Sequence, residues 1–361
     1  MPPEASGFAD RRSRVRRILL TDDLDALLFL DLQNIRYLTG FTGSDGAFLL
    51  ERDRSVLMVD GRYTTQAGEE ASGTTVFQYR EKVEGIAEVL AGELMRNIGF
   101  EAAAVTVETY GKLKEKVSTV RLQPLSGDLV NIRAVKDEGE IANLRTAAVI
   151  ASRTLLALLE DIKPGMQERD VALELEYRMR QNGAGGVSFP TIAASGMHSA
   201  LPHAAPGSRL LGTGDTLVMD YGAVYQGYHS DETCTFVLGQ ASAPFQEAYG
   251  IVKAAHDQAL AAVKAGVACA EIDRIARACI EAAGLGRFFS HGTGHGTGLD
   301  VHEPPRIAAP SKAVLEAGMV VTIEPGVYFP GKWGIRIEDM VLVRENDCEV
   351  LSKVPKDLTV L

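Results

Sequence analysis

The 361-residue sequence lacks the features of a membrane-spanning or exported chain. It has no apolar run of about eighteen residues, so nothing in its composition predicts a membrane span. The arginines of the stretch Arg11 to Arg17 precede no long apolar segment, because Asp22, Asp23 and Asp25 interrupt it. We therefore expect no signal peptide, and we expect these arginines to form the solvated face of a first helix.

Paired cysteines and excess positive charge are also missing. None of the four cysteines is spaced as Cys-x-x-Cys, so the sequence predicts neither a disulfide framework nor a zinc ribbon, only reduced and mostly buried thiols. Lysine and arginine number 37 against 48 acidic residues, and the net charge of −11 indicates no surface for nucleic acid. This balance fits a soluble cytoplasmic protein, and the acidic residues in excess are potential metal ligands.

A histidine-glycine segment, from His291 to Glu303, is the most unusual feature that is present. His291, His295 and His302 are three of the seven histidines, and the glycines at positions 292, 294, 296 and 298 lie between them. Glycine lets a backbone approach a ligand closely, and imidazole is a metal ligand or proton carrier near neutral pH. The spacing does not match a dinucleotide-binding loop. The segment therefore predicts a site rather than a core.

Residues 1–130 predict an α/β domain in which short strands and helices alternate. The predicted strands lie at 26–30, 46–50, 55–59 and 97–100, and a predicted helix runs from Glu84 to Met95. Arg36-Tyr37 and the stretch Asp60 to Tyr63 could contact a substrate or a second subunit, or could equally be ordinary surface anchors. We expect Leu122 to Gly127 to be the linker to a second domain, residues 131–361.

The second domain contains an internal repeat. It is predicted to begin with a long helix over 136–161 and a second one over 168–181. Lys163, Gly165, Val171 and Gly183 recur 101 positions later as Lys264, Gly266, Ile272 and Gly284. Gly214, Asp220 and Gly222 recur 104 positions later as Gly318, Glu324 and Gly326, and His203 recurs 99 positions later as His302. The repeat predicts an α+β domain in which helices of both copies pack on a joint antiparallel sheet about a pseudo-twofold axis.

Four acidic residues follow or end apolar strands in the two copies. Asp220 ends one predicted strand and Asp231 follows it across a hairpin, while Glu324 ends another and Glu338 follows across a second hairpin. Burying an unpaired carboxylate costs several kcal/mol, and clustered carboxylates repel one another unless cations neutralise them. With His295 as a fifth donor, the set predicts two divalent metal ions with a hydroxide between them. Oxygen donors with one imidazole favour Mn²⁺, with Co²⁺, Fe²⁺ or Zn²⁺ as alternatives.

These residues resemble the metal-binding pattern of the pita-bread metallopeptidases. The matching motifs are His295, Asp220, Asp231, Glu324-Pro325-Gly326 and Arg336-x-Glu338. Leu201-Pro-His203, the step from His295 to His302, and Arg336 resemble the proline-specific branch, which comprises Xaa-Pro aminopeptidases and Xaa-Pro dipeptidases. Asn34 to Phe41 and Asp60 to Tyr63 resemble the creatinase-type N-terminal domain of those enzymes. The resemblance covers nearly the whole chain and implies a creatinase-like α/β domain followed by a pita-bread catalytic domain.

The resemblance also implies a role for each site residue. Asp220 would bind one metal ion, Asp231 and Glu338 would bridge both, and His295 and Glu324 would complete the sphere of the other. Glu324 would also be the general base. The residues expected to contact the substrate, or to support those that do, are His203, His302, His291, Arg336 and Tyr328. Among these, the two histidines His203 and His302 would hydrogen-bond the scissile carbonyl or carry protons, and His291 would line the proline pocket.

The expected activity is hydrolysis of the Xaa-Pro bond at peptide N-termini by a metal-bridged hydroxide, as in an Xaa-Pro aminopeptidase. The alternative is an Xaa-Pro dipeptidase. Methionine aminopeptidase activity is disfavoured by the large N-terminal domain and Arg336, and creatinase or a non-catalytic binding module by the intact ligand set. The partner is then a peptide with proline at its second position, and the family implies a homodimer. Of the other histidines, we expect His229 at a solvated hairpin tip, His256 at a helix surface, and leave His198 undecided at the pocket edge.

Overall fold

The computed structural model describes residues 3–92, 95–126, 129 and 131–361. The chain divides into two compact units, Met1–Arg133 and Ala134–Leu361. The predicted boundary between residues 130 and 131 lies close to this division.

The first unit is an α/β domain built on one mixed sheet. Its helices are α1 (Pro3–Thr21), α2 (Leu32–Thr39), α3 (Thr64–Glu70), α4 (Lys82–Ala91) and α5 (Val107–Lys116). Its strands are β1 (Ala26–Phe29), β2 (Ala47–Glu51), β3 (Ser55–Asp60), β4 (Thr75–Tyr79), β5 (Asn97–Glu101) and β6 (Arg121–Leu125). Among the described residues the strand order is β4-β3-β2-β1-β5-β6, with β2 antiparallel to both of its neighbours and the other pairs parallel. The predicted α/β class and its strands are confirmed.

The predicted linker is wrong, because most of Leu122 to Gly127 belongs to strand β6. This strand pairs in parallel with β5, and Pro124 lies opposite Phe100. A proline without an N–H is tolerated there because β6 is an edge strand, which needs hydrogen bonds on one side only. Gly127, and residues 93 and 94 of the predicted helix ending at Met95, lie outside the described residues.

The prediction of a solvated arginine face on α1 is also wrong for two of its members. Arg11 and Arg12 are buried, and they donate hydrogen bonds to the carbonyls of Tyr37 and Leu38 at 3.1 Å and 2.8 Å. These carbonyls lie in the last turn of α2, where the helix offers no further N–H donors. Tyr37 is itself buried, so it is neither a surface anchor nor exposed to a substrate.

The second unit holds four α-helices, two short 3-10 helices (Gly196–Ala200 and Gly286–Phe288) and fourteen strands among its described residues. The helices are α6 (Glu138–Leu159), α7 (Glu168–Gln181), α8 (Ala243–Ala261) and α9 (Cys269–Ala282). The strands are β7 (Gly186–Val187), β8 (Ile192–Ser195), β9 (Thr216–Tyr221), β10 (Ala223–Tyr225), β11 (Tyr228–His229), β12 (Glu232–Val237), β13 (Gly294–Gly296), β14 (Glu303–Ile307), β15 (Val320–Ile323), β16 (Gly326–Phe329), β17 (Trp333–Arg336), β18 (Asp339–Val343), β19 (Cys348–Val350) and β20 (Thr359–Val360). The length and apolar composition of α6 would suit a membrane span, but its residues Ala151, Leu155 and Leu158 are buried in the protein core.

The internal repeat is present in the backbone. Helices α7 and α9 start 101 residues apart, and both end before a glycine in the left-handed region, Gly183 at φ 99° and Gly284 at φ 74°. The turn before each helix uses Gly165 or Gly266, whose N–H groups donate to Leu211 and Leu315 at 2.8 Å in both cases. Glycine recurs at these positions because a residue with a side chain would be strained at a positive φ.

The predicted joint sheet is instead divided into two large sheets, and among the described residues β11-β10-β7 and β16-β17 form two smaller ones. Of the large sheets, one has the order β20-β12-β9-β8 and the other β14-β13-β15-β18-β19, and β20 runs parallel to β12. A hydrogen bond of 3.1 Å from the N–H of Glu338 to the carbonyl of Thr233 connects them. The chain leaves the second sheet after β15 at Pro325, which has no N–H to continue the ladder, and forms the separate β16–β17 hairpin before β18. The start of β18 therefore lies against β12, the strand that follows Asp231.

Candidate metal centre

The five predicted ligands lie at the ends of adjoining strands. Asp220 is in β9, opposite Thr233 of β12, and Asp231 immediately precedes β12. Glu324 follows β15, Glu338 precedes β18, and these two strands pair with each other. His295 lies in β13, which pairs with β15. The topology thus brings both hairpins and the histidine-glycine segment to one place.

The distances show how closely these side chains approach. One ligand atom from each of Asp231, His295 and Glu338 lies within 4.8 Å of the other two. The Nε2 atom of His295 is 3.6 Å from Asp231 Oδ2 and 3.6 Å from Glu324 Oε1. Asp220 is held beside this group by the guanidinium of Arg336, 2.5 Å away.

His295 presents an unprotonated nitrogen to the acids. Its Nδ1–H donates to the carbonyl of Gly296 at 3.0 Å, which leaves a lone pair on Nε2. Burial lowers the pKa of His295 to about 4, so the ring is neutral at physiological pH. A neutral imidazole with its second nitrogen fixed by a carbonyl is the form in which histidine binds metal ions.

The carboxylates need cations. Burial, reinforced by repulsion from the neighbouring acids, raises the pKa values of Asp231 and Glu338 well above the ordinary range. Burial also raises the pKa of Glu324, to about 7. Asp220 Oδ1 is buried without a hydrogen-bond partner among the described residues. A cluster of buried oxygen donors, one of them unsatisfied, together with a neutral imidazole fits divalent metal ions.

Arg336 connects the acids to His291 through hydrogen bonds. It is buried, and its Nη1–H donates to the Tyr328 hydroxyl at 2.8 Å, which in turn lies 3.0 Å from His291 Nε2. On its other side, Nε–H donates to the Thr233 hydroxyl at 3.1 Å, which donates to Glu338 at 2.6 Å. This geometry is consistent with the predicted supporting roles of Arg336 and Tyr328. Thr233 was missed because a threonine inside a β-rich run reads as an ordinary strand residue.

The remaining predicted substrate residues lie around this centre. The ring of His302 is 4.3 Å from that of His295, centroid to centroid, and His302 is exposed. Burial, together with the nearby charges of Arg336 and His203, lowers the pKa of His291 to about 4. His203 is exposed. Their contacts with a substrate remain predictions.

The glycines of the histidine-glycine segment are required by close backbone packing. A Cβ atom on Gly294 would lie 1.9 Å from the carbonyl oxygen of Thr322, and one on Gly296 would lie 2.3 Å from that of Pro304. Any larger residue would push β13 away from β14 and β15. The glycines therefore place His295 between two strands.

Two predictions for the other histidines are wrong. His229 is half-buried in β11, and its N–H donates to the carbonyl of Gly298 at 2.8 Å, while the hairpin tip is formed by Gln226 and Gly227. His256 is buried, with Nε2 3.3 Å from Asp339 Oδ2, because it faces inward from α8. His198, left undecided, lies 2.8 Å from the buried carboxylate of Glu168.

Arg306 was also missed. It lies in β14 directly opposite His295, and it is exposed, whereas the next residue, Ile307, is buried. In the part of the chain that the structure describes, Arg306 has no acidic partner. Its alternation with the apolar Ile307, directly after the histidine-glycine segment, is the signal that could have found it.

Family models match both units of the chain. Residues 142–345 match metallopeptidase family M24, and residues 11–135 match the creatinase/prolidase N-terminal domain. The chain is 35% identical over 340 residues to an Xaa-Pro dipeptidase of Pyrococcus horikoshii, covering 93% of this chain and 95% of the relative.

Solved structures show the same likeness over nearly full length. An Xaa-Pro dipeptidase from Bacillus anthracis matches with a TM-score of 0.95 and 37% identity, over 98% of this chain and 100% of the other. An X-Pro aminopeptidase from Thermotoga maritima matches with a TM-score of 0.90 and 35% identity, over 97% and 99%. The chain belongs to metallopeptidase family M24. It is a metallopeptidase with a creatinase-type N-terminal domain and a pita-bread catalytic domain.

Proposed function

We propose that this chain is an Xaa-Pro dipeptidase, which cleaves dipeptides whose second residue is proline. The sequence-based preference for an aminopeptidase gives way to its alternative. The observation that carries the proposal is the position of Arg306, an exposed cation on the same side of the β13–β14 ladder as His295. The likeness to Xaa-Pro dipeptidases of Pyrococcus horikoshii and Bacillus anthracis supports it.

Substrate chemistry explains why an arginine there matters. In a dipeptide the proline carries a free carboxylate, whereas in a longer peptide that group is an uncharged amide. Side chains directly opposite in an antiparallel pair have their Cβ atoms about 4.5–5.5 Å apart on one face, so Arg306 can reach a group bound beside His295. A guanidinium pairs with a carboxylate through two hydrogen bonds, which an amide cannot reproduce.

The chain's own residues would divide the reaction among themselves. Asp220, Asp231, His295, Glu324 and Glu338 would hold the two ions. When bound, such ions activate water and polarise a carbonyl.

Protein groups would supply the remaining steps. Glu324, whose pKa is raised to about 7 by burial, would accept a proton from the attacking water and pass it to the proline nitrogen. His203 and His302 would donate hydrogen bonds to the carbonyl oxygen as it gains charge. His291, hydrogen-bonded to Tyr328, would form the wall of the proline pocket.

A comparison of Ala-Pro with Ala-Pro-Ala tests the proposal, using wild-type protein and Arg306→Ala. Wild-type protein should hydrolyse the dipeptide and leave the tripeptide almost uncleaved. Arg306→Ala should raise KM for the dipeptide about tenfold or more, because a charge-assisted contact of roughly 1.5–3 kcal/mol is lost. Lys312→Ala, which removes a cation beyond β14, is the matched control and should behave as wild type.

The second candidate is an Xaa-Pro aminopeptidase, favoured by the likeness to the Thermotoga maritima enzyme. Efficient cleavage of Ala-Pro-Ala, unaffected by Arg306→Ala, would establish it in place of the dipeptidase.

The identity of the metal is part of the proposal. Four carboxylates and one imidazole favour Mn²⁺ over softer ions, with Co²⁺, Fe²⁺ and Zn²⁺ as alternatives. Protein that has been freed of metal with a chelator should regain Ala-Pro hydrolysis on addition of Mn²⁺. Metal analysis of the purified protein would identify the bound ion. A homodimer and a cytoplasmic location remain predictions, which gel filtration and cell fractionation would test.

A further inference from the structure

A polar network lies behind the strands that carry three of the predicted ligands. Asp220, Asp231 and Glu338 are each followed by a buried polar residue, and these are Tyr221, Glu232 and Asp339. Successive side chains of an extended chain point to opposite sides. When the ligands face the metal site, their neighbours therefore face away from it, toward the interior on the other side of the strands.

Lys356 joins this network. Its Nζ is 2.6 Å from Glu232 Oε1 and 3.4 Å from Asp339 Oδ1. The three side chains are only 7%, 2% and 7% exposed. One ammonium thus connects the residue after Asp231 in β12 with the residue after Glu338 in β18.

Each long helix of the repeat adds a polar side chain to the same network. Ser152 of α6 donates to Glu232 Oε2 at 2.6 Å, and His256 of α8 lies 3.3 Å from Asp339 Oδ2. Tyr221 donates to Glu232 Oε2 at 2.8 Å. The acids behind both hairpins are therefore fixed on several sides, and Lys356 is the group that contacts both of them.

The strands held in this way belong to two different sheets. Asp231 precedes β12 and Glu338 precedes β18, and a backbone hydrogen bond from Glu338 to Thr233 connects the two sheets beside these carboxylates. The spacing between the two carboxylates therefore depends on how β12 is held against β18. An ammonium shared by Glu232 and Asp339 holds the two strands together from their other side.

We propose that Lys356 is a positioning residue of the metal centre. By holding Glu232 and Asp339 together, it keeps Asp231 and Glu338 at the spacing that lets both contact the same pair of ions. The proposal rests on the two-ion site of the proposed function and is independent of whether the substrate is a dipeptide or a longer peptide.

Titration of metal-free protein with Mn²⁺, followed by calorimetry and electron paramagnetic resonance, tests the proposal. Wild-type protein should bind two ions and show the spectrum of an exchange-coupled pair. Lys356→Met should bind the second ion at least roughly tenfold more weakly, as residues that support metal ligands commonly do when removed. Its spectrum should be that of isolated Mn²⁺.

Two variants serve as matched controls. Lys353→Met removes the same charge from an exposed position three residues earlier in the chain. Ile86→Ala removes a fully buried side chain of α4 in the first unit and should lower the melting temperature without touching the network. Both should keep the coupled spectrum, so that loss of stability alone is separated from loss of positioning.

If Lys356→Met does not fold, Glu232→Gln tests the same interaction from its other side. It preserves the shape of the side chain but removes the charge that Lys356 contacts, so it should also weaken the second ion. In folded protein, Lys356→Met should have a smaller effect when Glu232 is already glutamine, because both changes break one interaction. Two ions bound with wild-type affinity and a coupled spectrum in either single variant would overturn the proposal. Wild-type protein that binds fewer than two ions would instead refute the two-ion site, and the positioning role with it.

Discussion

The two copies of the repeat in the catalytic unit share a backbone and differ in chemistry. Gly214 and Gly318, at equivalent positions, have φ values of 87° and 91°. The strand ends that follow carry aspartates in the first copy and glutamates in the second, and the histidine-glycine segment belongs to the second copy. Backbone conformations that favour glycine are retained in both copies, whereas the acidic side chains at the strand ends differ between them.

The largest effect on activity should come from substitutions of the acidic residues at equivalent positions, Glu324 and Asp220. Glu324→Gln should lower kcat by about 10²–10⁴-fold, because proton transfer from the attacking water is lost while the fold is kept. Asp220→Asn should lower activity mainly by weakening ion binding, since Asp220 is predicted only as a ligand. Assays of Ala-Pro hydrolysis at increasing Mn²⁺ should therefore restore Asp220→Asn in part and leave Glu324→Gln inactive. Restoration of Glu324→Gln would show that Glu324 is not the base.

Substitution of the two histidines at equivalent positions, His203 and His302, should have the next largest effect on activity. His302→Ala and His203→Ala should each lower kcat by about 10–10³-fold, since each removes a hydrogen bond to the carbonyl oxygen in the transition state. Both variants should still bind two metal ions, measured by elemental analysis after gel filtration. Loss of both ions from His302→Ala would mean that this residue, only 4.3 Å from His295 between ring centroids, is itself a ligand.

The equivalent turn glycines, Gly214 and Gly318, have similar backbone conformations but different neighbours, so their substitution should change the free energy of unfolding by different amounts. Gly214→Ala and Gly318→Ala should each lower the free energy of unfolding by about 1–2 kcal/mol, because both have positive φ. Gly318→Ala should cost more, since its Cβ would lie 3.1 Å from Val135 Cγ1 and 3.2 Å from the carbonyl oxygen of Lys136, whereas that of Gly214 would meet no atom within 4 Å. Urea unfolding measures both, and equal losses would contradict the packing difference.

The smallest expected effect is a dependence of the free energy of unfolding on pH. Behind its ligand strand the first copy places the hydroxyl of Ser152, and the second places His256. Burial opposes protonation of His256, but Asp257 and Asp339 outweigh it and raise its pKa. A raised folded-state pKa stabilises the protein fully below the unfolded value and loses that contribution as pH rises through the folded value.

The free energy of unfolding of wild type minus that of His256→Gln should therefore be larger at about pH 6 than at about pH 8. The same difference for Ser152→Ala should not change with pH, because a hydroxyl does not titrate in this range. Parallel urea titrations at both pH values check this. A constant difference for His256→Gln would show that the imidazole stays in one protonation state.

Local patterns in the sequence predicted much of the fold. Helix α7 has the predicted bounds, and the four predicted strands of the first unit, β1, β2, β3 and β5, begin and end within one residue of those expected, because runs of apolar residues report which elements are buried. Strand β4 was not predicted. The errors came where long-range contacts decide. Arg11 and Arg12 look like surface residues until the end of α2 supplies carbonyls, and the stretch around Pro124 looks like a linker until β5 supplies an edge to pair with.

The sequence by itself determined the donor types and their repeat, since strand-ending acids and a histidine among glycines are visible in the order of residues. Only the tertiary structure decided which other side chains lie beside these donors or behind the strands that carry them. It placed Arg306 opposite His295, Thr233 between Arg336 and Glu338, and Lys356 behind the ligand strands. These residues are far from the ligands in sequence or lie within ordinary-looking strands. Pairing register and burial, which depend on the whole fold, decide their positions.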